Sequence, residues 1–289
     1  MRTNCGVGVH GKPNEHTAHD EDEQHQDQLG TTKAELYVIA HGWLPPLYTI
    51  PITGLGPHSD TVYHGIGVAS MCGRFSQYWS LEEWTHAWPV QWRTPDYAAR
   101  YNVAPGTLML ALVHQAGAHT VGGAIRWGMQ MPHGLVVNAR CETIAVLPRF
   151  RALLPRHRLI IPMNGYYEWH QQTKQPYYLY SASDEPLWAL GLYQITPDGA
   201  RAVILTRDAA ASLAIIHKRM PLLADRQSAA QWLQDNALQS IKLIQQLENQ
   251  DPSLQFHAVS KRVNSTRHEG PELIEMVEEA HRYEDGADT

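Results

Sequence analysis

Apolar residues recur from residue 109 onward in runs of strand length: Met109 to Val113, Ala124 to Met129, Leu135 to Arg140, Leu159 to Met163, Tyr177 to Ser181, Leu187 to Ile195 and Ala202 to Thr206. Runs this short, rich in β-branched and aromatic residues and bounded by Gly, Pro or charged positions, predict strands. Helical spacing is rarer. Ser80, followed by Glu83 and Trp84, predicts a capping box; Ala209 to Lys218 is rich in Ala and Leu; Asp225 to Leu233 and Leu238 to Asn249 carry apolar residues at helical intervals. The pattern predicts one α+β domain over residues 72–280, with an antiparallel β-sheet or barrel core and flanking helices, followed by a flexible tail at 281–289.

The N-terminal segment has a different texture. Between Glu15 and Gln28 the chain is His, Asp, Glu and Gln with almost nothing apolar, which cannot offset the entropy of ordering it. From Ala34 to Ser70 there is no Lys or Arg, and Pro45, Pro46, Pro51 and Pro57 interrupt any long element. Residues 1–70 hold three basic side chains against eight acidic ones, so they carry −5 of the net −6. They are expected to be a disordered leader, or to reflect a start placed upstream of the true initiator at Met71.

Composition narrows the class. With 289 residues, 43% hydrophobic and 18% charged, the chain has ample material for a core. Cys5, Cys72 and Cys141 are too few and too dispersed for a disulfide framework or a zinc site. His41, His58 and His64 have no metal-ligand spacing. No apolar run approaches the roughly 18 residues of a membrane helix, and the N-terminus lacks the layout of a secretory signal. The expectation is a cytoplasmic protein without metal or cofactor.

Chemistry concentrates in a few places. If the chain began at Cys72, one residue would present an α-amine with a reference pKa of about 8 beside a thiol of about 8.5. Amine attack on an aldehyde gives a Schiff base, and the thiolate can then close a five-membered thiazolidine. A buried structural cysteine is the other reading. In Val136–Arg140 the period of two sets Asn138 and Arg140 on one strand face, as a polar site or a strand-end hydrogen bond. Glu168 stands among Tyr166, Tyr167 and Trp169, where desolvation favours acid/base work, or where it forms a cross-strand pair. His217 ends the predicted helix at Ala209 to Lys218 and either shuttles protons or complements the helix C-terminus. Arg74, Arg126-Trp127, Arg140, Arg149-Phe150-Arg151 and Arg156-His157-Arg158 interleave cations with aromatics, a mixture that suits nucleic acid and also ordinary surface.

Taken together and in order, these segments resemble the SOS-response-associated peptidase (SRAP) family. The resemblance rests on Met71-Cys72-Gly73-Arg74-Phe75, Tyr101-Asn102-Val103-Ala104-Pro105-Gly106, Arg126-Trp127-Gly128, Asn138-Ala139-Arg140-Cys141-Glu142-Thr143, Gly165-Tyr166-Tyr167-Glu168-Trp169, Lys174-Gln175-Pro176-Tyr177, Ile216-His217 with Arg219-Met220-Pro221, and Val263-Asn264. It implies a sensor that links itself covalently to abasic sites in single-stranded DNA through Cys72, after autocatalytic removal of Met71. Asn138 would orient the α-amine, Glu168 would assist Schiff-base formation and methionine removal, and His217 would open the deoxyribose ring. Arg74, Arg140, Arg149 and Arg151 would hold phosphates, with Asn102 at the same surface and Trp127, Phe150 and Pro105 against the bases. The implied protein is a monomer, associated with the nucleoid when on DNA.

Departures from the family pattern are Asn164 and Tyr166 where aspartate and phenylalanine are usual, Cys141 where alanine is common, and the leader, which would lock the Cys72 amine in a peptide bond. Two other classes compete. N-terminal-nucleophile amidotransferases share Met-Cys-Gly but not the later segments, and a non-covalent DNA or modified-base binding module would make Cys72 incidental.

Overall fold

The computed structural model describes residues 73–94, 96–115, 120–234 and 236–278. The acidic leader, Met71, Cys72 and the tail at 281–289 lie outside the described residues. Each strand expected from an apolar run is present, several with wider bounds: Leu108–His114, Thr120–Trp127, Arg158–Met163, Pro176–Ser181, Leu187–Thr196 and Gly199–Asp208. The run at Leu135 to Arg140 splits into Gly134–Val136 and Asn138–Arg140. Val137 interrupts it, because its carbonyl accepts both the Ile204 N–H at 3.0 Å and the Trp127 indole N–H at 2.9 Å.

Five strands close into a barrel. Gly199–Asp208, Leu187–Thr196, Arg158–Met163, Leu108–His114 and Thr120–Trp127 follow one another as antiparallel neighbours. The ring is completed by a parallel pairing of the last with the first, at Arg201↔Arg126 and Ala202↔Trp127. Successive side chains on these strands serve two separate cores. Met109, Ala111, Val113, Leu159, Ile161, Met163 and Ala189 pack on one face, and Leu112, Ile160, Leu190 and Leu192 on the other. Burial of both faces explains why these segments read as continuous apolar runs without alternation.

The two cores meet different covers. Helices Arg226–Gln234 and Ala237–Leu247, with the short helices Cys141–Ile144 and Pro148–Arg151, cover one through Trp232, Leu243, Ile144 and Phe150. A five-stranded antiparallel sheet supplies Phe75, Val103, Tyr166 and Leu179 to the other. Its order is Leu254–Ala258, Pro176–Ser181, Gly165–Trp169, Arg74–Gln77 and Arg100–Val103. Gln77 stitches that sheet to the barrel: its buried amide donates to Leu110 O at 3.0 Å and Pro162 O at 2.7 Å, and accepts from Leu110 N at 2.9 Å.

Local sequence signals set the helix ends. Ser80 and Glu83 form the expected reciprocal box ahead of Leu81–Ala87. A second box, Asn236 with Gln239, starts Ala237–Leu247. The helix expected over Ala209 to Lys218 does not form; those residues make a turn-rich loop between paired strands. Asp208↔Arg219 pairing and the Ala209 N to Lys218 O bond of 2.8 Å hold the loop ends together, which a straight helix cannot span. Closure therefore overrides the propensity of Ala and Leu. No helix among the described residues is long and apolar enough to cross a membrane.

Gly165 is fixed by close approach. A Cβ there would lie 2.4 Å from Tyr178 Cζ and 2.7 Å from Leu179 O, the latter a backbone atom that cannot swing aside. Gly165→Ala is expected to destabilise the fold by about 1–3 kcal/mol, measured as a lower midpoint in thermal or urea unfolding; an unchanged midpoint would show that the sheet relaxes freely at this point.

Candidate functional site

Glu168 lies in the strand Gly165–Trp169, opposite Tyr177, with only 2% of its surface exposed. Its carboxylate shares a sheet face with Tyr166, toward the barrel, because side chains alternate along a strand. Across from it stands His217, whose Nδ1 is 3.8 Å from Glu168 Oε2. The loop that carries His217 is pinned to the turn after Trp169 by the Gln171 N to Ile216 O bond of 3.1 Å, and Leu213 and Ile216 anchor it in the core. The expectation that His217 complements a helix end falls with that helix; its position comes from the loop.

The imidazole is oriented by Arg219. Arg219 N–H donates to His217 Nδ1 at 3.2 Å, and the Arg219 carbonyl oxygen lies 3.2 Å from the same nitrogen. With Nδ1 as acceptor the neutral ring carries its proton on Nε2; when Nδ1 is protonated it faces a carbonyl and the Glu168 carboxylate instead. Both protonation states therefore have partners, as a proton carrier requires.

Arg219 is held in turn. Its guanidinium is buried and bonds Glu142, Asp208 at 2.7 Å and Thr206 O at 2.7 Å. Burial alone would lower its pKa, but the pairs with Glu142 and Asp208 outweigh that and leave it raised. The Arg219 hydrogen bond holds Glu142 below the usual carboxylate range. The stability from this shift is fully present above the ordinary carboxylate pKa and is lost as pH falls through the depressed folded value. The clamp joins the His217 loop to the helix Cys141–Ile144, which directly follows Asn138–Arg140.

Asn138 is placed by the other flank of Gly199–Asp208, where Asn138–Arg140 pairs in parallel with Ile204 to Thr206. Along that short strand Asn138 is half-buried, Ala139 buried and Arg140 exposed, in keeping with the alternation expected. Gly73 is buried at the head of Arg74–Gln77, and the register Arg74↔Tyr167 carried back one residue sets Gly73 across from Glu168. Glu168 and His217 are thus brought together at the point where the chain enters the sheet. Among the described residues no three His, Cys, Asp or Glu side chains gather to hold a metal ion.

The residues expected at a DNA surface divide into two groups. Arg140, Arg149 and Arg151 are exposed, the last two flanking Phe150 on Pro148–Arg151, and Pro105 is half-buried beside the turn at Gly106. Asn102, Trp127 and Phe150 are instead interior, at 0%, 0% and 3% exposure. Asn102 donates to Ser265 O and His268 O at 3.0 Å each and accepts from Arg74 Nη1 at 2.8 Å. Trp127 packs on Phe75 and holds Val137, while Phe150 anchors its helix in the core. Arg74 bonds Val263 O and Asn264 O as well as Asn102, so it locks the 3₁₀ turn Lys261–Asn264 onto the sheet. Arg158 is buried and donates to Trp232 O and Leu233 O at the end of Arg226–Gln234. These are structural assignments that residue type alone does not disclose, because cations and aromatics serve cores and ligands alike. Sequence reasoning also misses the role of Arg219 in orienting His217; Asp208 is 11 residues away and Glu142 is 77 residues away, so neither forms a local signal in the chain.

Residues 71–266 match the family described as "SOS response associated peptidase (SRAP)". The chain is 30% identical over 223 residues to "Abasic site processing protein YoqW" of Bacillus subtilis (strain 168), covering 71% of this chain and 99% of that protein. It is 29% identical over 225 residues to "Abasic site processing protein YedK" of Escherichia coli (strain K12), covering 72% and 100%. A relative from Pongo abelii, "Abasic site processing protein HMCES", is 27% identical over 281 residues, covering 74% and 78%. Among solved structures, a protein from Bacteroides thetaiotaomicron shares the fold with a TM-score of 0.61 at 18% identity, covering 71% of this chain and all of that one. A phage-related protein from Bordetella bronchiseptica does so with 0.55 at 24%, covering 66% and 95%.

Cys141, beside Asn138 in sequence, is buried, and burial first, then the carboxylates of Glu248 and Glu142, push its thiol pKa well above the ordinary range. A thiol held protonated is a poor nucleophile. Brief treatment of the native protein with iodoacetamide at pH 8 should leave Cys141 unmodified by peptide mass mapping, whereas denatured protein should be alkylated there. Rapid native labelling of Cys141 would show that the barrel opens at this site.

Proposed function

Because the chain belongs to the SOS response associated peptidase (SRAP) family, we propose that it recognises abasic sites in single-stranded DNA and captures them covalently through Cys72. The observation that carries this reading is the buried Glu168–His217 pair at the head of the strand Arg74–Gln77. Cys72 immediately precedes Gly73 in the chain. The reading also draws on relatives whose names describe abasic site processing.

An abasic deoxyribose is mostly a closed hemiacetal. His217 in its imidazolium form donates a proton to the ring oxygen while the Glu168 carboxylate takes the proton of the anomeric hydroxyl, which opens the sugar to an aldehyde and leaves Glu168 in its acid form. The Cys72 α-amine adds to the aldehyde carbon, and Glu168 in its acid form protonates the carbinolamine hydroxyl, which leaves as water to give an imine. The Cys72 thiolate then bonds the imine carbon, and the nitrogen takes up a proton to complete the thiazolidine. Asn138 orients the amine. The overall change is loss of one water, with no oxidant and no cofactor.

This chemistry needs a free amine on Cys72. Initiation at Met71 with removal of that methionine provides it, as does scission of the Met71–Cys72 bond by the domain itself, with Glu168 assisting. Arg140, Arg149 and Arg151 are the exposed cations assigned to the phosphates. The protein acts as a monomer in the cytoplasm, on the nucleoid when DNA is bound.

Cys72→Ala should abolish the adduct that survives denaturation while leaving an imine that borohydride can trap, because the α-amine is retained. Glu168→Gln should slow adduct formation about 100-fold or more with DNA affinity unchanged. Unaltered crosslinking by both variants would overturn the mechanism, and glutamine hydrolysis without an adduct would favour the amidotransferase class. Arg140→Ala should weaken single-stranded DNA binding and reduce its salt slope by about one; a change confined to base preference would show that Arg140 contacts a base.

A further inference from the structure

Tyr178 and Tyr180 lie on the face of the five-stranded sheet opposite Glu168, since Glu168 is directly across from Tyr177 and neighbours on a strand alternate. Four residues along, at the far end of the strand from Glu168, a cavity of about 220 Å³ opens at Asn164. Its aromatic walls are Tyr78, Trp79, Tyr178 and Tyr180, and Asp184 and Glu185 stand beside them. Among the described residues no Lys, Arg or His lines it.

The aromatic part is built rather than incidental. Asn164 is 7% exposed, and its Oδ1 accepts from the backbone N–H of Tyr78 at 2.7 Å and of Trp79 at 3.4 Å, which fixes both residues at the mouth. The Tyr78 ring is backed by a parallel stack on Tyr101 with centroids 4.7 Å apart, and the Tyr178 hydroxyl is tied to Ser76 Oγ at 2.8 Å. Gly165 lacks the Cβ that would collide with the Tyr178 ring.

The charge is equally one-sided. Asp184 adopts φ 58°, a left-handed conformation that costs a non-glycine residue energy, and it forms no ion pair among the described residues; nor does Glu185. Burial raises the Tyr78 phenol pKa, the hydrogen bond with Tyr178 opposes that rise, and Tyr101 and Asp184 add smaller upward contributions. Aromatic faces attract cations within about 6 Å, and carboxylates add to that attraction without demanding a hydrogen-bond donor.

We propose that this cavity binds an organic cation, an alkylated ammonium group seated against Tyr78, Trp79, Tyr178 and Tyr180 with Asp184 and Glu185 as its counter-charge. A quaternary ammonium suits a largely aromatic wall because it carries charge on a methyl surface and has no N–H to satisfy. The site is separate from the Glu168–His217 pair and does not depend on abasic-site chemistry.

The test follows the indole N–H signal of Trp79 in full-length, ¹⁵N-labelled protein, assigned with Trp79→Phe. The ligands are choline and its uncharged isostere 3,3-dimethylbutan-1-ol. Choline should give a saturable shift, with the alcohol at least about fivefold weaker. D184N/E185Q, both at exposed positions, should weaken choline by a similar factor and leave the alcohol unchanged. Acetyl-trimethyl-lysine amide distinguishes the source: tighter binding than choline indicates a modified protein side chain, and tighter choline indicates a free small molecule. Equal binding of choline and the alcohol, an unaffected double variant, or no saturable shift with any of the three ligands would overturn the proposal.

Discussion

The strand Gly199–Asp208 hydrogen-bonds to four others along its length. It pairs with Leu187–Thr196 through its first half, closes the barrel against Thr120–Trp127, and receives Asn138–Arg140 and then Arg219–Pro221 near its end. Ala202, Ile204 and Thr206 have no exposed surface. Because barrel closure and the two polar segments share this strand, the position of Asn138 relative to Arg219 is fixed by backbone register rather than by flexible side chains. A site built this way needs little adjustment when a ligand arrives, since sheet elements hold geometry better than loops do.

The remaining freedom lies in the loop that carries His217, and Arg219 removes much of it. One guanidinium ties that loop to Asp208 on the central strand and to Glu142 on the helix after Asn138, while its own backbone N–H orients the imidazole. Asp208 and Glu142 retain substantial exposure, so the energetic worth of these pairs is moderated by solvent. Their clearer effect is geometric: they hold in place the residue whose backbone N–H meets His217 Nδ1.

Much of the fold was legible in the chain because the barrel strands are buried on both faces, and Leu108–His114 and Arg158–Met163 announce themselves as short apolar runs. The Ser80–Glu83 box was legible for a local reason, a reciprocal pattern three residues apart. The parallel pairings were not, because they join segments as distant as Arg126 and Arg201 with no local signature. Ala209 to Lys218 misled because helix propensity is weaker than the demand that Asp208 and Arg219 pair. Within the site, the 3.8 Å approach of His217 to Glu168 was not legible, because it depends on how the loop after Asp208 folds back. The family resemblance set Asn102, Trp127 and Phe150 at the DNA surface, whereas a buried amide with carbonyl partners and an indole with one backbone acceptor are stable interior groups.

The central claim is that Cys72 joins an abasic sugar with loss of one water. The most direct measurement is intact mass of the protein after incubation with single-stranded DNA carrying one abasic site, followed by denaturation without reductant. The predicted result is a species whose mass is that of a chain beginning at Cys72 plus the DNA minus one water, with the DNA mapped to the N-terminal peptide. Recovery of unmodified protein and free DNA, or a link mapped to any other residue, would contradict it.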